Sequence, residues 1–177
     1  MQNRMNYTLA LDPSLSETGY ALMSGEDVID CGTLKFGSIY TESFRLKKLA
    51  EGLKQLIYKF GPKEVAIEVP FVGRNAKTAI KLGGVRGVIL ELAEACGLVI
   101  YEYTTFEIKG TVTDDHCADK EQVRTMVALI TGIKTDNYNV SDAIAVGLCH
   151  SINRGLVETP GKMESTRKAK GGPHNVI

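Results

Sequence analysis

The periodicity of this chain changes near residue 40, and that change limits the fold more than any other feature. Before it, residues 7–11, 19–23 and 28–36 are short apolar runs separated by small polar turns at 14–17 and 24–27. That is the pattern of a β-meander. After it, Phe44, Leu46, Leu49, Leu53, Leu56 and Ile57 recur at near-helical spacing, and Gly61-Pro62 stops the helix. Residues 65–67 and 98–103 return to strand. Helices are expected from 75, with Asn75 as cap, to 96, over 120–130, and over 140–152 with Asn139 or Ser141 as cap, with a short helix or turn at 105–110. Strands that first follow one another and then alternate with helices predict an α/β domain with a five-stranded mixed sheet flanked by helices.

The chain has 177 residues, which suits one domain able to bury its own core. We assign the domain to residues 1–155. Residues 156–177 are rich in Lys, Gly, Pro and Ser, and read as a flexible basic tail. Formal net charge is zero, which counts mildly against a nucleic-acid binder, although local clustering matters more than the total. The four cysteines form no CxxC pair and match no zinc spacing. Cys31, Cys96 and Cys149 lie in apolar surroundings and read as small buried hydrophobes, and a reducing cytoplasm is the expected compartment. The first residues lack the apolar core of a signal peptide, and no apolar run is long enough to span a membrane.

Three acids stand at element ends. Asp12 and Glu68 each close an apolar strand, and Asp142 opens an otherwise apolar helix. If the two strands are neighbours, their carboxylates emerge at one sheet edge, where ligand sites of α/β sheets gather. Hard cations such as Mg²⁺ take oxygen ligands, and carboxylates from separate elements are the usual way to hold the ions that assist phosphodiester cleavage. Each acid also has a plain structural reading. Asp12-Pro13 is a common turn pair, Glu68 could be a solvated strand end, and Asp142 could cap its helix.

Longer segments are more specific. LALDPSLSETGYAL, EVPFVGRNAKTAIKLGGVRGVIL, IKGTVTDDHCADKEQVRTMV and VSDAIAVGLCH, in that order, resemble the four motif regions of the RuvC-type Holliday junction resolvases. The resemblance covers residues 7–150. It implies an RNase H-like fold, a homodimer, and a divalent-metal-dependent endonuclease. Such an enzyme nicks opposed strands of a four-way DNA junction and leaves 5′-phosphate and 3′-hydroxyl ends. The cofactor implied is Mg²⁺, with Mn²⁺ as substitute and two ions per site. Asp12, Glu68 and Asp142 match the catalytic acids and metal ligands. Phe71 matches the loop aromatic that stacks near the junction centre, and Lys109 and Lys120 match basic residues near the scissile phosphate.

The residues themselves add to this. Phe71 beside Arg74, in a loop bounded by Pro and Gly, suits base stacking, although an aromatic there could also be core. Lys77 and Lys81, four apart on one helix, are either a solvated face or phosphate contacts. Lys120 begins a helix, where a cation opposes the dipole, which points to a role elsewhere. Gly83, Gly84 and Gly87 allow close helix approach and mark a dimer surface. One departure from the family pattern stands out: Asn139 occupies the position, three before the last acid, where Asp or His is usual. Asn139 is then either a neutral metal ligand facing the site with Asp142, or the mark of a weak or disabled enzyme that still binds junctions.

His116 reads as a solvated loop residue, His150 as a cation suited to a helix C-terminus, and His174 falls in the tail. Rival readings are an actin-like kinase fragment, for which the chain is too short, and an RNase H-like nuclease acting on other branched DNA or on RNA–DNA hybrids. A P-loop enzyme is excluded by the absence of a GxxxxGK[ST] segment.

Overall fold

A computed structural model describes residues 6–69 and 76–155. Its strands are β1 (Thr8–Asp12), β2 (Glu17–Ser24), β3 (Asp27–Lys35), β4 (Glu64–Val69) and β5 (Val99–Thr104). They form one sheet in the order β3-β2-β1-β4-β5. The first three pair antiparallel, as their short turns require. β1–β4 and β4–β5 pair in parallel, because α1 (Glu42–Phe60) and α2 (Ala76–Ala95) carry the chain back across the sheet. α3 (Thr105–Thr113), α4 (Lys120–Thr131) and α5 (Tyr138–Asn153) follow β5. The mixed α/β sheet expected from the sequence is therefore present. Among the described residues, no helix is long and apolar enough to cross a membrane.

Alternation along the strands divides the core in two. Leu9 and Leu11 of β1 and Val65 and Ile67 of β4 pack with Leu49, Leu53, Val85 and Ile89 of α1 and α2. Ala10, Ala21 and Ala66 point the other way, into a cluster with Ile108, Val127 and most of α5. The residues facing α5 are small for a reason. From Val140 to Ser151, α5 buries every residue except Asp142, so the helix lies very close to the sheet. At Gly147 an added Cβ would lie 2.6 Å from Met23 Cγ, and at Gly19 it would lie 1.9 Å from the Asn139 carbonyl oxygen.

The other end of α5 is fixed by a buried polar chain. His150 is fully buried. Its Nε2 lies 2.8 Å from Glu64 Oε2 and its Nδ1 lies 3.0 Å from the Tyr103 hydroxyl. A carboxylate only accepts, so Nε2 carries the proton, and the Tyr103 hydroxyl donates to Nδ1. Burial pushes the imidazole pKa down despite Glu64, and burial pushes the Tyr103 phenol up to about 12. His150 is therefore a neutral link, not the helix-end cation expected from the sequence.

Other expectations need adjusting. α5 starts two residues earlier than read, with Asn137 as cap in place of Asn139 or Ser141. Asn137 Oδ1 accepts from the Asn139 amide, while its Nδ2 donates to Glu17 on β2, so a tertiary contact selects the cap. α3 is a full helix through Thr113, because Thr104 and Glu107 form a reciprocal capping box. Cys96 is exposed, since it follows the last turn of α2 just before the left-handed Gly97; Cys31 is half-buried and only Cys149 is fully buried. The loop bearing Phe71 and Arg74, the Asn75 cap and the 156–177 tail lie outside the described residues.

Two predictions follow from α5. Gly19→Ala places a methyl against backbone that cannot swing aside, and is expected to cost about 3 kcal/mol or more in urea denaturation. An unchanged midpoint would mean that α5 does not rest on β2. For His150 the folded pKa lies below the ordinary 6.5, so the unfolded chain binds the proton first. Stability is complete above about pH 6.5 and falls as pH drops below it, by up to roughly 1.4 kcal/mol per pH unit. Urea midpoints at pH 7.5 and 5.5 should therefore differ more in the native protein than in His150→Gln; equal differences would rule out His150 as the cause.

Candidate active site

The register of β1 and β4 brings the first two acids together. Leu11 pairs with Ile67 in parallel, so Asp12 and Glu68 are the next residues on adjacent strands. Leu11 and Ile67 face α1 and α2, so alternation turns Asp12 and Glu68 to the opposite face, under α5. Asp142 reaches the same place from α5, one turn after Asn139. The three carboxylates line one cleft of about 340 Å³, together with Pro13, Leu82, Thr105, Ile108, Lys109, Lys120, Val123 and Ala145.

The electrostatics show how closely the acids crowd. Asp12 is raised to about 7, first by burial and then by the charges of Glu68 and Asp142, with Lys120 opposing. Burial also raises Glu68 and Asp142 above the usual carboxylate range. Two groups restrain those shifts. Thr105, at the start of α3, donates a hydrogen bond to Glu68 Oε1, and Lys120 Nζ lies 3.3 Å from Asp142 Oδ2. Lys109 adds positive charge felt by both Glu68 and Asp142.

Such a donor set fits a hard divalent cation in kind: carboxylate oxygens only, desolvated and mutually repelling. Among the described residues, however, no group of three or more His, Cys, Asp or Glu side chains is gathered tightly enough to hold an ion as it stands. In this arrangement one oxygen of Asp142 is paired with Lys120 and one oxygen of Glu68 accepts from Thr105.

The remaining residues singled out from the sequence fall into three groups. Lys109 and Lys120 line the cleft, as does Leu82 on α2. Lys77 is exposed and Lys81 half-buried on the first turns of α2, and neither lines the cleft. Asn139 is half-buried and also lies outside the cleft lining, with its backbone against Gly19. Phe71 and Arg74 lie outside the described residues. Sequence reasoning missed Thr105 and Gly19. Thr105 could have been found: it follows the third parallel strand just as Glu68 ends the second, so both reach the same sheet edge.

Comparison with known proteins agrees with this architecture. The family profile described as crossover junction endodeoxyribonuclease RuvC matches residues 8–150. A protein of that name from Caldicellulosiruptor saccharolyticus is 37% identical over 158 residues, covering 84% of this chain and 94% of the relative. Another from Chlorobium phaeovibrioides is 36% identical over 154 residues, covering 83% and 82%. Among solved structures, Thermus thermophilus RuvC in complex with a Holliday junction substrate superposes with a TM-score of 0.78 at 23% identity, covering 85% of this chain and 96% of that one. The yeast mitochondrial Holliday junction resolvase Ydc2 shares the fold at a TM-score of 0.58 and 14% identity, covering 83% and 79%. With its family matched from the first strand into the last turn of α5, the chain belongs to the RuvC crossover junction endodeoxyribonucleases.

Proposed function

We propose that this chain cleaves four-way DNA junctions as a divalent-metal-dependent endonuclease, with Asp12, Glu68 and Asp142 as its metal ligands. The observation that carries the reading is the convergence of three carboxylates from β1, β4 and α5 on one cleft that also holds Lys109 and Lys120. When bound, a divalent ion there supplies a nucleophilic water at neutral pH and neutralises charge on the phosphate. Mg²⁺, with Mn²⁺ substituting and two ions per site, suits the all-oxygen donor set.

The chain's own residues do the rest. Asp12, which feels the charges of both Glu68 and Asp142, would be one of the residues that hold the ion. Thr105 orients Glu68, as an outer partner orients a ligand. Lys120 and Lys109 face the phosphate and offset its charge as the bond breaks. Phe71, Arg74, Lys77 and Lys81 are our assignment for contacts to DNA bases and backbone. Asn139 lies outside the cleft lining but one turn before Asp142, so its missing charge would weaken the hold on an ion there without its serving as a direct ligand. The products are 5′-phosphate and 3′-hydroxyl ends. A reducing cytoplasm suits the free thiols of Cys96 and Cys117, both exposed.

Nicking of opposed strands requires two such centres related by a two-fold axis. The outer face of α2 suits the contact. Ile80 is 72% exposed, and a Cβ built at Gly83 or Gly87 meets nothing within 4 Å, so another helix can approach closely. Sedimentation velocity at micromolar concentration is expected to show a dimer, and Gly83→Glu a monomer; a monomeric native protein would remove this surface from consideration.

The decisive assay uses a synthetic four-way junction with Mg²⁺ or Mn²⁺. Asp12→Asn, Glu68→Gln and Asp142→Asn should each lower the nicking rate on the order of 100-fold while junction binding persists. Asn139→Asp should raise the rate in Mg²⁺. Tight junction binding without nicking in either metal would favour the second reading, a junction-binding protein disabled at Asn139. Preference for an RNA–DNA hybrid would refute both.

A further inference from the structure

Lys120 is an exposed side chain held in an unusual way. Its side chain is 68% exposed, and an exposed ion pair alone restrains a lysine weakly. A second contact is present: Nζ lies 5.7 Å from the centre of the Tyr138 ring, within the range of cation–π attraction. Tyr138 opens α5 and lies four residues, one helical turn, before Asp142, so both occupy one side of the helix. The ammonium thus meets a carboxylate and an aromatic ring from successive turns of α5.

The ring is itself fixed. The Tyr138 hydroxyl donates to the Glu121 carboxylate, and the Arg124 guanidinium carbon lies 5.3 Å from the ring centre. Arg124 in turn bonds Glu121 at 2.7 Å and pairs with Asp136 at 3.6 Å. Lys120, Glu121 and Arg124 all lie on the first two turns of α4, so the cluster ties the start of α4 to the start of α5 beside the cleft.

We propose that Tyr138 is a positioning residue that holds Lys120 at the cleft; the inference rests on the reading of Lys120 as the cation facing the scissile phosphate. The physical reason is a conflict at Asp142, whose carboxylate is asked both to pair with Lys120 and to serve as a metal ligand. A neutral ring attracts the ammonium without competing for the cation. When Asp142 turns to its other task, Lys120 stays over the ring instead of swinging into solvent.

Exposed cation–π contacts are worth a factor of roughly 2–5. In single-turnover junction cleavage, Tyr138→Leu, which keeps bulk and removes the π face, is expected to slow the rate roughly 2–5-fold with junction affinity unchanged. Tyr138→Phe, which loses the bond to Glu121 but keeps the ring and its contact with Arg124, restores most of the loss. In a Lys120→Ala background, Tyr138→Leu has no further effect. A readout without metal or substrate accompanies these: in protein carrying ¹³C-labelled lysine, the Lys120 ε-methylene protons, assigned by Lys120→Arg, are shifted upfield by the ring and lose that shift in Tyr138→Leu. Native-like cleavage by Tyr138→Leu, an equal loss in the Lys120→Ala background, or failure of Tyr138→Phe to restore the rate each overturns the proposal. If Lys120→Ala cleaves normally, the reading of Lys120 fails instead, while the methylene shift still decides whether the ring holds the lysine.

Discussion

The close burial of α5 against β1 and β2 is the contact on which the rest depends. It requires small residues beneath the helix, which Ala10, Ala21 and Ala66 supply, and a bare backbone at Gly19 and Gly147. Leucines in place of these alanines would hold the helix away and carry Asp142 off the sheet edge. Packing at this distance is unforgiving, because interiors are filled to the density of organic crystals. The placement of Asp142 at the cleft is thus set by small side chains that do not line it.

At its two ends α5 meets opposite electrostatic conditions. At the cleft end, acids are crowded, partly buried and raised in pKa, and two lysines hold the balance. At the far end, Glu64, His150 and Tyr103 form a chain in which each donor has an acceptor and the imidazole stays neutral. The first arrangement is poor for stability and useful for binding cations. The second satisfies its polar groups and secures the helix. A site of mutually repelling acids is tolerated because the opposite end of the same helix is firmly anchored.

Charge composition alone would have understated the site. The formal net charge is zero, yet Lys109 and Lys120 stand beside three carboxylates in one cleft. An acidic centre offsets its own basic surroundings in any overall count, so the arrangement of charge carries information that the total does not.

The meander, the alternation of helix and strand, and the three acids at element ends were legible in the sequence, because apolar periodicity records which face of each element is buried. Lys120 at a helix start was legible too, as a cation placed against the dipole. Other features depended on distant partners. Asn137 caps α5 because Glu17, 120 residues away in sequence, holds its amide. His150 is neutral because Glu64 and Tyr103 enclose it. Thr105 reaches Glu68, and Tyr138 reaches Lys120, only once the sheet and helices are in place. Sequence alone determined which residues could act and which way each element faced. Tertiary structure decided which of them meet and in what protonation state, because hydrogen bonds, desolvation and charge coupling act through space over a few ångströms and leave no periodic trace along the chain.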